Sequence, residues 1–143
     1  MTKTFFDTNL WLRFILMDNN KQFKEVKSLL EVNEGGLIRI YSSPVIFLEL
    51  AYVLKSVYKF MFDEVQDVLN STRHTKQMTV LPEDDLDLAL KYFNKYKIKF
   101  SDCLVASQIK NEISLVTFDT DFNKIKEIKT QSPAQLLASI KYN

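Results

Sequence analysis

The sequence predicts an α/β protein, a three-layer α/β/α sandwich around a central, mainly parallel five-stranded sheet. Two observations carry this expectation. Strand-like and helix-like segments alternate along the whole chain, and all three prolines sit where helices start. Ser43-Pro44 and Ser132-Pro133 place a capping hydroxyl before proline at the first helical position, while Pro82-Glu83-Asp84-Asp85 loads acids into a first turn. Both arrangements suit the unpaired N–H groups and the positive dipole end of a helix.

The elements follow in order. Residues 4–7 read as a short strand and 10–17 as a short helix. Residues 20–32 carry Phe23, Val26, Leu29 and Leu30 at helical spacing. The only two glycines, Gly35 and Gly36, form a turn into a second strand at 37–42. A helix then runs from Pro44 to about residue 58, and another over 62–72 with Phe62, Val65 and Leu69 on one side. A third strand at 78–81 precedes a helix over 83–96 whose Leu86, Ala89, Leu90 and Phe93 are expected to face inward. Residues 102–110 read as a helix, 114–118 as a buried strand, 126–130 as a weak last strand and 133–141 as a closing helix. No repeat, low-complexity tract or linker interrupts them, so a single domain over 1–143 is expected.

Bulk composition limits the function classes. At 46% apolar and 26% charged residues, the 143-residue chain is that of an ordinary globule able to bury a core. A net charge of +1 makes no general case for a nucleic-acid partner, although local basic patches matter more than the sum. The lone cysteine, Cys103, cannot form an internal disulfide, which points to a reducing cytoplasm. Asp7 and Arg13 interrupt the apolar N-terminus, and Glu49 sits in the middle of the short run 45–54. Neither segment suits a leader or a membrane span.

Four acids stand where a carboxylate is costly: Asp7, Glu49, Asp102 and Asp119. An unpaired buried carboxylate costs several kcal/mol, so it calls for a donor, a counter-ion or a metal. Singly, Asp7 and Asp102 can be helix caps and Asp119 a turn residue. Glu49, with apolar neighbours on both sides of its helix, needs a specific buried basic partner to be explained that way. Together the four have another reading. Asp7 and Asp119 fall at predicted strand ends, Asp102 opens a helix and Glu49 lies one turn into another, so all can meet at the carboxyl rim of the sheet. Carboxylates gathered there repel one another unless a cation joins them, and a hard divalent ion such as Mg²⁺ or Mn²⁺ takes oxygen ligands. His74 and Cys103 are the only members of their kinds, so zinc has no ligand cluster.

Asp7-Thr8-Asn9-Leu10 resembles the opening motif of PIN-domain nucleases. Leu48-Glu49-Leu50, Ser101-Asp102-Cys103-Leu104 and Thr117-Phe118-Asp119-Thr120-Asp121-Phe122 match the later motifs in order and spacing. The likeness spans essentially the whole chain and looks most like the VapC-type toxins of toxin–antitoxin pairs. It implies a sheet in the order 3-2-1-4-5, with Asp7 and Asp119 on adjacent strands at the switch point. It also implies metal-dependent hydrolysis of RNA, with Asp7, Glu49, Asp102 and Asp119 holding Mg²⁺ or Mn²⁺. Asp121 is the alternative fourth ligand; Asp119 is favoured because it is expected to end its strand directly. A homodimer and a small antitoxin partner are implied as well. One departure is Asn111-Glu112-Ile113, where many relatives carry glycine before the fourth strand.

Thr8, Asn9 and Thr117 supply short polar groups suited to positioning ligands or phosphate, and local capping explains them equally well. The lysines at 91, 95, 97 and 99, and the stretch Arg73-His74-Thr75-Lys76, can offset repulsion between RNA and acids, or be solvated faces. Trp11, Tyr92, Tyr96 and Phe100 can stack bases, but their spacing follows apolar faces. Two other functions fit parts of the pattern. A doubly wound phosphatase also uses an aspartate after its first strand, although Asn9 stands where its second acid belongs and only Lys110 or Lys124 could be its lysine. A non-catalytic RNA- or protein-binding module would keep the fold without needing the acids.

Overall fold

The structure, a computed structural model, describes residues 1–141. Five strands form one sheet: β1 (Thr2–Phe6), β2 (Ile38–Ser42), β3 (Met78–Val80), β4 (Ser114–Val116) and β5 (Thr130–Gln131). Their order is β3-β2-β1-β4-β5 and every pairing is parallel. Parallel neighbours need crossovers, supplied by α1 (Thr8–Leu16) and α2 (Asn20–Glu34), by α3 (Pro44–Ser56) and α4 (Phe62–Arg73), by α5 (Leu86–Tyr96) and α6 (Phe100–Ser107), and between β4 and β5 by a 3₁₀ turn; α7 (Pro133–Lys141) follows the last strand. The sheet is covered on both faces. Successive residues Phe5 and Phe6 point to opposite sides of β1, yet both are fully buried, as are Leu115 and Val116 on β4. Side chains from the helices close over them, among them Leu10, Leu29, Ile46 and Leu136.

Strand order reverses at β1, whose neighbours are β2 and β4. In such sheets ligands collect beyond the carboxyl ends of the strands at this reversal, here those of β1 and β4. Buried Asn33 ties the opposite flank together. Its amide donates to the Lys76 carbonyl at 2.7 Å and its oxygen accepts from the Ile40 N–H at 3.1 Å, joining α2 to β2 and to the approach of β3.

Several elements differ from the sequence expectation. The helix expected from residue 83 begins at Leu86, because Asp85 is the cap, its carboxylate accepting from the Leu88 N–H at 3.1 Å. Proline 82 thus belongs to the preceding loop. The inward face of α5 is also rotated. Ala89 and Tyr92 are buried against the core, whereas Leu86, Leu90 and Phe93 are exposed. α6 starts at Phe100, two residues before Asp102, with Lys99 at its cap position. β4 stops at Val116, and the last strand is Thr130–Gln131 rather than 126–130. The departure before β4 is accommodated by strain: Asn111 and Glu112 both take positive φ, at 56° and 69°. Asparagine enters that region fairly readily; glutamate does not.

Candidate active site

Asp7 follows β1 directly and its backbone N–H bonds the Val116 carbonyl of β4 at 3.0 Å, so the acid is pinned at the switch point. It is indeed the cap of α1, its Oδ1 accepting from the Thr8 N–H at 2.9 Å. Its Oδ2 accepts from the Thr117 hydroxyl at 2.7 Å and from the Asn9 amide at 3.2 Å. Cap and site readings are therefore compatible. Burial raises its pKa to about 7, against the lowering effect of the Thr117 and Thr8 bonds, and the charges of Glu49 and Asp102 push it further up.

Glu49 leans from α3 toward the same point. Its Oε1 accepts from the Thr8 hydroxyl at 3.1 Å, and its Oε2 from Ser101 at 3.3 Å and from the Lys99 ammonium at 3.1 Å. The basic partner that its burial demands thus exists but is not itself buried: the Lys99 side chain is 68% exposed, that of Glu49 only 15%. The pairing holds the Lys99 pKa above its ordinary value, chiefly through the hydrogen bond to Glu49.

Asp102 is not a cap. It sits within the first turn of α6, and no described residue donates to its carboxylate. Burial comes first in raising its pKa to about 6; Glu49, Asp119 and Asp121 add repulsion and Lys99 offsets part of it. The acids of α3, α6 and the loop after β4 therefore share one field.

Asp119 lies three residues beyond the end of β4, not directly at it. It caps a 3₁₀ turn, Thr120–Lys124, accepting from the Asp121 N–H at 2.8 Å. Its own N–H donates to the Thr117 hydroxyl at 3.0 Å. Asp119 is half-buried and Asp121 exposed, and the charge of each is felt at Asp102. Among the described residues, no three His, Cys, Asp or Glu side chains close on a common point at ligand distance. The charges of Glu49 and Asp102 act on Asp7, and those of Glu49, Asp119 and Asp121 act on Asp102.

A polar knot holds the strand ends. The Thr117 hydroxyl donates to Asp7 while accepting from Asn9 at 3.1 Å, and the Asn9 oxygen accepts from the Phe118 N–H at 3.3 Å. Thr8, Asn9 and Thr117 thus direct their groups to the acids and the backbone beside them. Sequence reasoning overlooked Ser101 as a donor to Glu49 and read Lys99 only as part of a basic run. Their pairing across about fifty positions leaves no trace in local spacing.

The other candidates disperse. Lys95 pairs with Glu127 at 3.3 Å, Lys76 with Glu34 at 2.7 Å, and Lys97 donates to the Asn94 carbonyl at 3.1 Å. Trp11 and Tyr92 are buried, Tyr96 bonds Glu127, and Phe100 packs edge-on against Phe93. Cys103 is buried. His74 ends α4 and meets the Asn70 carbonyl. Lys110 pairs with Asp85, not Asp7, which weakens the phosphatase reading.

A family model for the PIN domain matches residues 4–128. The chain belongs to the PIN-domain family. No curated protein matches it significantly. Solved structures do, at low identity. One is VapBC2 from Rickettsia felis bound to a DNA fragment from their promoter, 20% identical with a TM-score of 0.65, covering 92% of this chain and 98% of that one. Another is VapBC-1 from nontypeable Haemophilus influenzae, 16% identical with a TM-score of 0.66, covering 93% and 99%. A toxin–antitoxin complex from Klebsiella pneumoniae is 18% identical with a TM-score of 0.59, covering 92% and 98%. These three share the PIN fold. In the PIN domain here, the donor set at the switch point is all oxygen and two of its acids have pKa values raised by burial and mutual charge. Those properties fit a hard divalent cation. Among the described residues no helix is long and apolar enough to cross a membrane.

Proposed function

We propose that this PIN domain is a divalent-cation-dependent ribonuclease that hydrolyses RNA phosphodiester bonds. The observation that supports it best is the meeting of Asp7, Glu49 and Asp102, from three separate elements, in one mutually repelling rim at the switch point. A purely structural role would not require that electrostatic cost.

Asp7, Glu49, Asp102 and Asp119, or Asp121 in place of Asp119, would hold Mg²⁺ or Mn²⁺. When bound, the cation supplies activation of water and compensation of charge on the phosphate. The chain's own groups do the rest. Three donors fix Asp7, and Thr8 and Ser101 orient Glu49, so both carboxylates are aimed before ligand arrives. Asp102, whose carboxylate has no donor among the described residues, or Glu49 would orient the attacking water. The test is cleavage of single-stranded RNA by purified protein with Mn²⁺. Asp7→Asn and Asp102→Asn are each expected to lower the rate at least about a hundredfold. Cleavage at the wild-type rate by either variant would refute the assignment.

The finer reading is a VapC-type toxin, cytoplasmic and homodimeric, paired with a small antitoxin. Its toxin and antitoxin parts are supported by the PIN-domain match and the three neighbouring structures, one of which is named a toxin–antitoxin complex. Growth arrest on expression, relieved by a short adjacent reading frame, checks it; growth unaffected by the active nuclease would argue against it.

A further inference from the structure

Lys99 stands apart from the other cations. Of the ion pairs among the described residues, Lys99–Glu49 is the one that reaches the acidic rim; the rest join Arg13 to Asp18, Lys76 to Glu34, Lys95 to Glu127 and Lys110 to Asp85. Its backbone is anchored: the Lys99 carbonyl accepts from the N–H groups of Asp102 at 3.0 Å and Cys103 at 3.2 Å. Its side chain is not, because most of it lies in solvent and only the ammonium touches Glu49. Glu49 does not depend on it for orientation, since Thr8 holds one oxygen and Ser101 the other.

The pair is a single contact made by an exposed lysine, and a divalent cation arriving at the same carboxylate carries twice the charge. The lysine then loses its partner while remaining tied to the turn that bears Asp102. With Asp7 and Asp102 also committed to the cation, the anions left within its reach are phosphates of the substrate.

We propose that Lys99 is a two-position residue: counter-ion to Glu49 until a divalent cation takes that carboxylate, and thereafter a contact that positions the RNA backbone over the rim. This rests on the nuclease reading above. Lys99 is accordingly a substrate-positioning residue, and it makes metal and RNA binding mutually supportive, because each takes one member of the Lys99–Glu49 pair and frees the other member for the second ligand.

The experiment compares wild type with Lys99→Met, Lys99→Arg and the neighbouring control Lys97→Met, all with folding checked by circular dichroism. Without RNA, Mn²⁺ affinity is read by electron paramagnetic resonance. Lys99→Met should bind Mn²⁺ about two- to fivefold tighter than wild type, and Lys97→Met should not. On single-stranded RNA, Lys99→Met should raise KM several-fold with kcat within about twofold. Its slope of log(kcat/KM) against log salt should be shallower by about 0.7, the value for one phosphate contact. Lys99→Arg should keep the wild-type slope. If Lys99→Met leaves Mn²⁺ affinity unchanged, or shifts it no more than Lys97→Met, the proposal fails while the nuclease reading stands. A fall in kcat at constant KM overturns it too. If wild type neither binds Mn²⁺ nor cleaves RNA, the nuclease reading falls and takes this one with it.

Discussion

Asp7 is both the cap of α1 and a nearly buried carboxylate, and the two roles pull its protonation in opposite directions. Donors from Thr8 and Thr117 favour the charged form; burial and the neighbouring acids favour the neutral form and prevail, giving a pKa of about 7. The consequence for stability has a definite sign. The native state holds this proton to a higher pH than the unfolded chain, so the stabilisation is complete below about pH 4 and is lost as pH rises toward 7. Asp102, with its pKa at about 6, acts in the same direction. Without divalent cation, stability measured by urea unfolding should therefore fall between pH 5 and pH 8. Asp7→Asn should flatten that decline and stabilise the protein at pH 8 by on the order of 1–3 kcal/mol. An identical pH slope in wild type and variant would show that Asp7 is not the group responsible. The cap was readable from Asp7-Thr8-Asn9, but its third donor was not, because Thr117 is brought in by the pairing of β1 with β4.

Among the secondary structure elements, local chemistry was informative where it decided the outcome. Ser132 forms the expected cap, its hydroxyl accepting from the Gln135 N–H at 3.1 Å while Gln135 returns a bond to the Ser132 N–H at 2.8 Å. At Pro82 two helix starts competed, and the aspartate three residues later prevailed through its side-chain bond to Leu88. The face of α5 was misjudged because periodicity identifies an apolar stripe without saying what covers it; Ala89 and Tyr92 pack inward, leaving Leu86, Leu90 and Phe93 outside. The link from α6 to β4 offers a direct test of backbone strain. Glu112 at φ 69° lacks the freedom of glycine, and a non-glycine residue there costs roughly 1–2 kcal/mol. Glu112→Gly should relieve this, less the extra flexibility of the unfolded chain, for a net gain of about 0.5–1 kcal/mol. The denaturation midpoint should rise with an unchanged m-value. A lower midpoint would mean that the Glu112 side chain stabilises the link by more than its backbone strains it.

The whole fold was legible earlier than the site, and for a physical reason. Strand and helix alternation leaves a parallel sheet with helices on both faces as the arrangement that buries Phe5, Phe6, Leu115 and Val116 together, and the switch point follows from strand order. Convergence of the acids depends instead on long-range placement: Glu49 meets Thr8 across 41 positions and Ser101 across 52. Alternation placed the four acids at one rim, but it could not supply these contacts or the fact that Asp119 lies past its strand in a capped turn. Cation binding at the proposed site would be a property of the folded chain alone, since the unfolded chain cannot gather these carboxylates. A ligand that binds only the native state stabilises it by about 2.7 kcal/mol at a hundredfold excess over its dissociation constant. For a domain of this size that corresponds to a rise in Tm of about 5–10 °C. Mn²⁺ should produce this shift at pH 8, where the acids are charged, and much less of it at pH 5, where Asp7 and Asp102 retain their protons. Asp7→Asn, already relieved of its buried charge, should lose most of the Mn²⁺ response at both pH values. A shift that is the same at pH 5 and pH 8, or that survives Asp7→Asn in full, would locate the cation elsewhere on the protein and detach it from this rim.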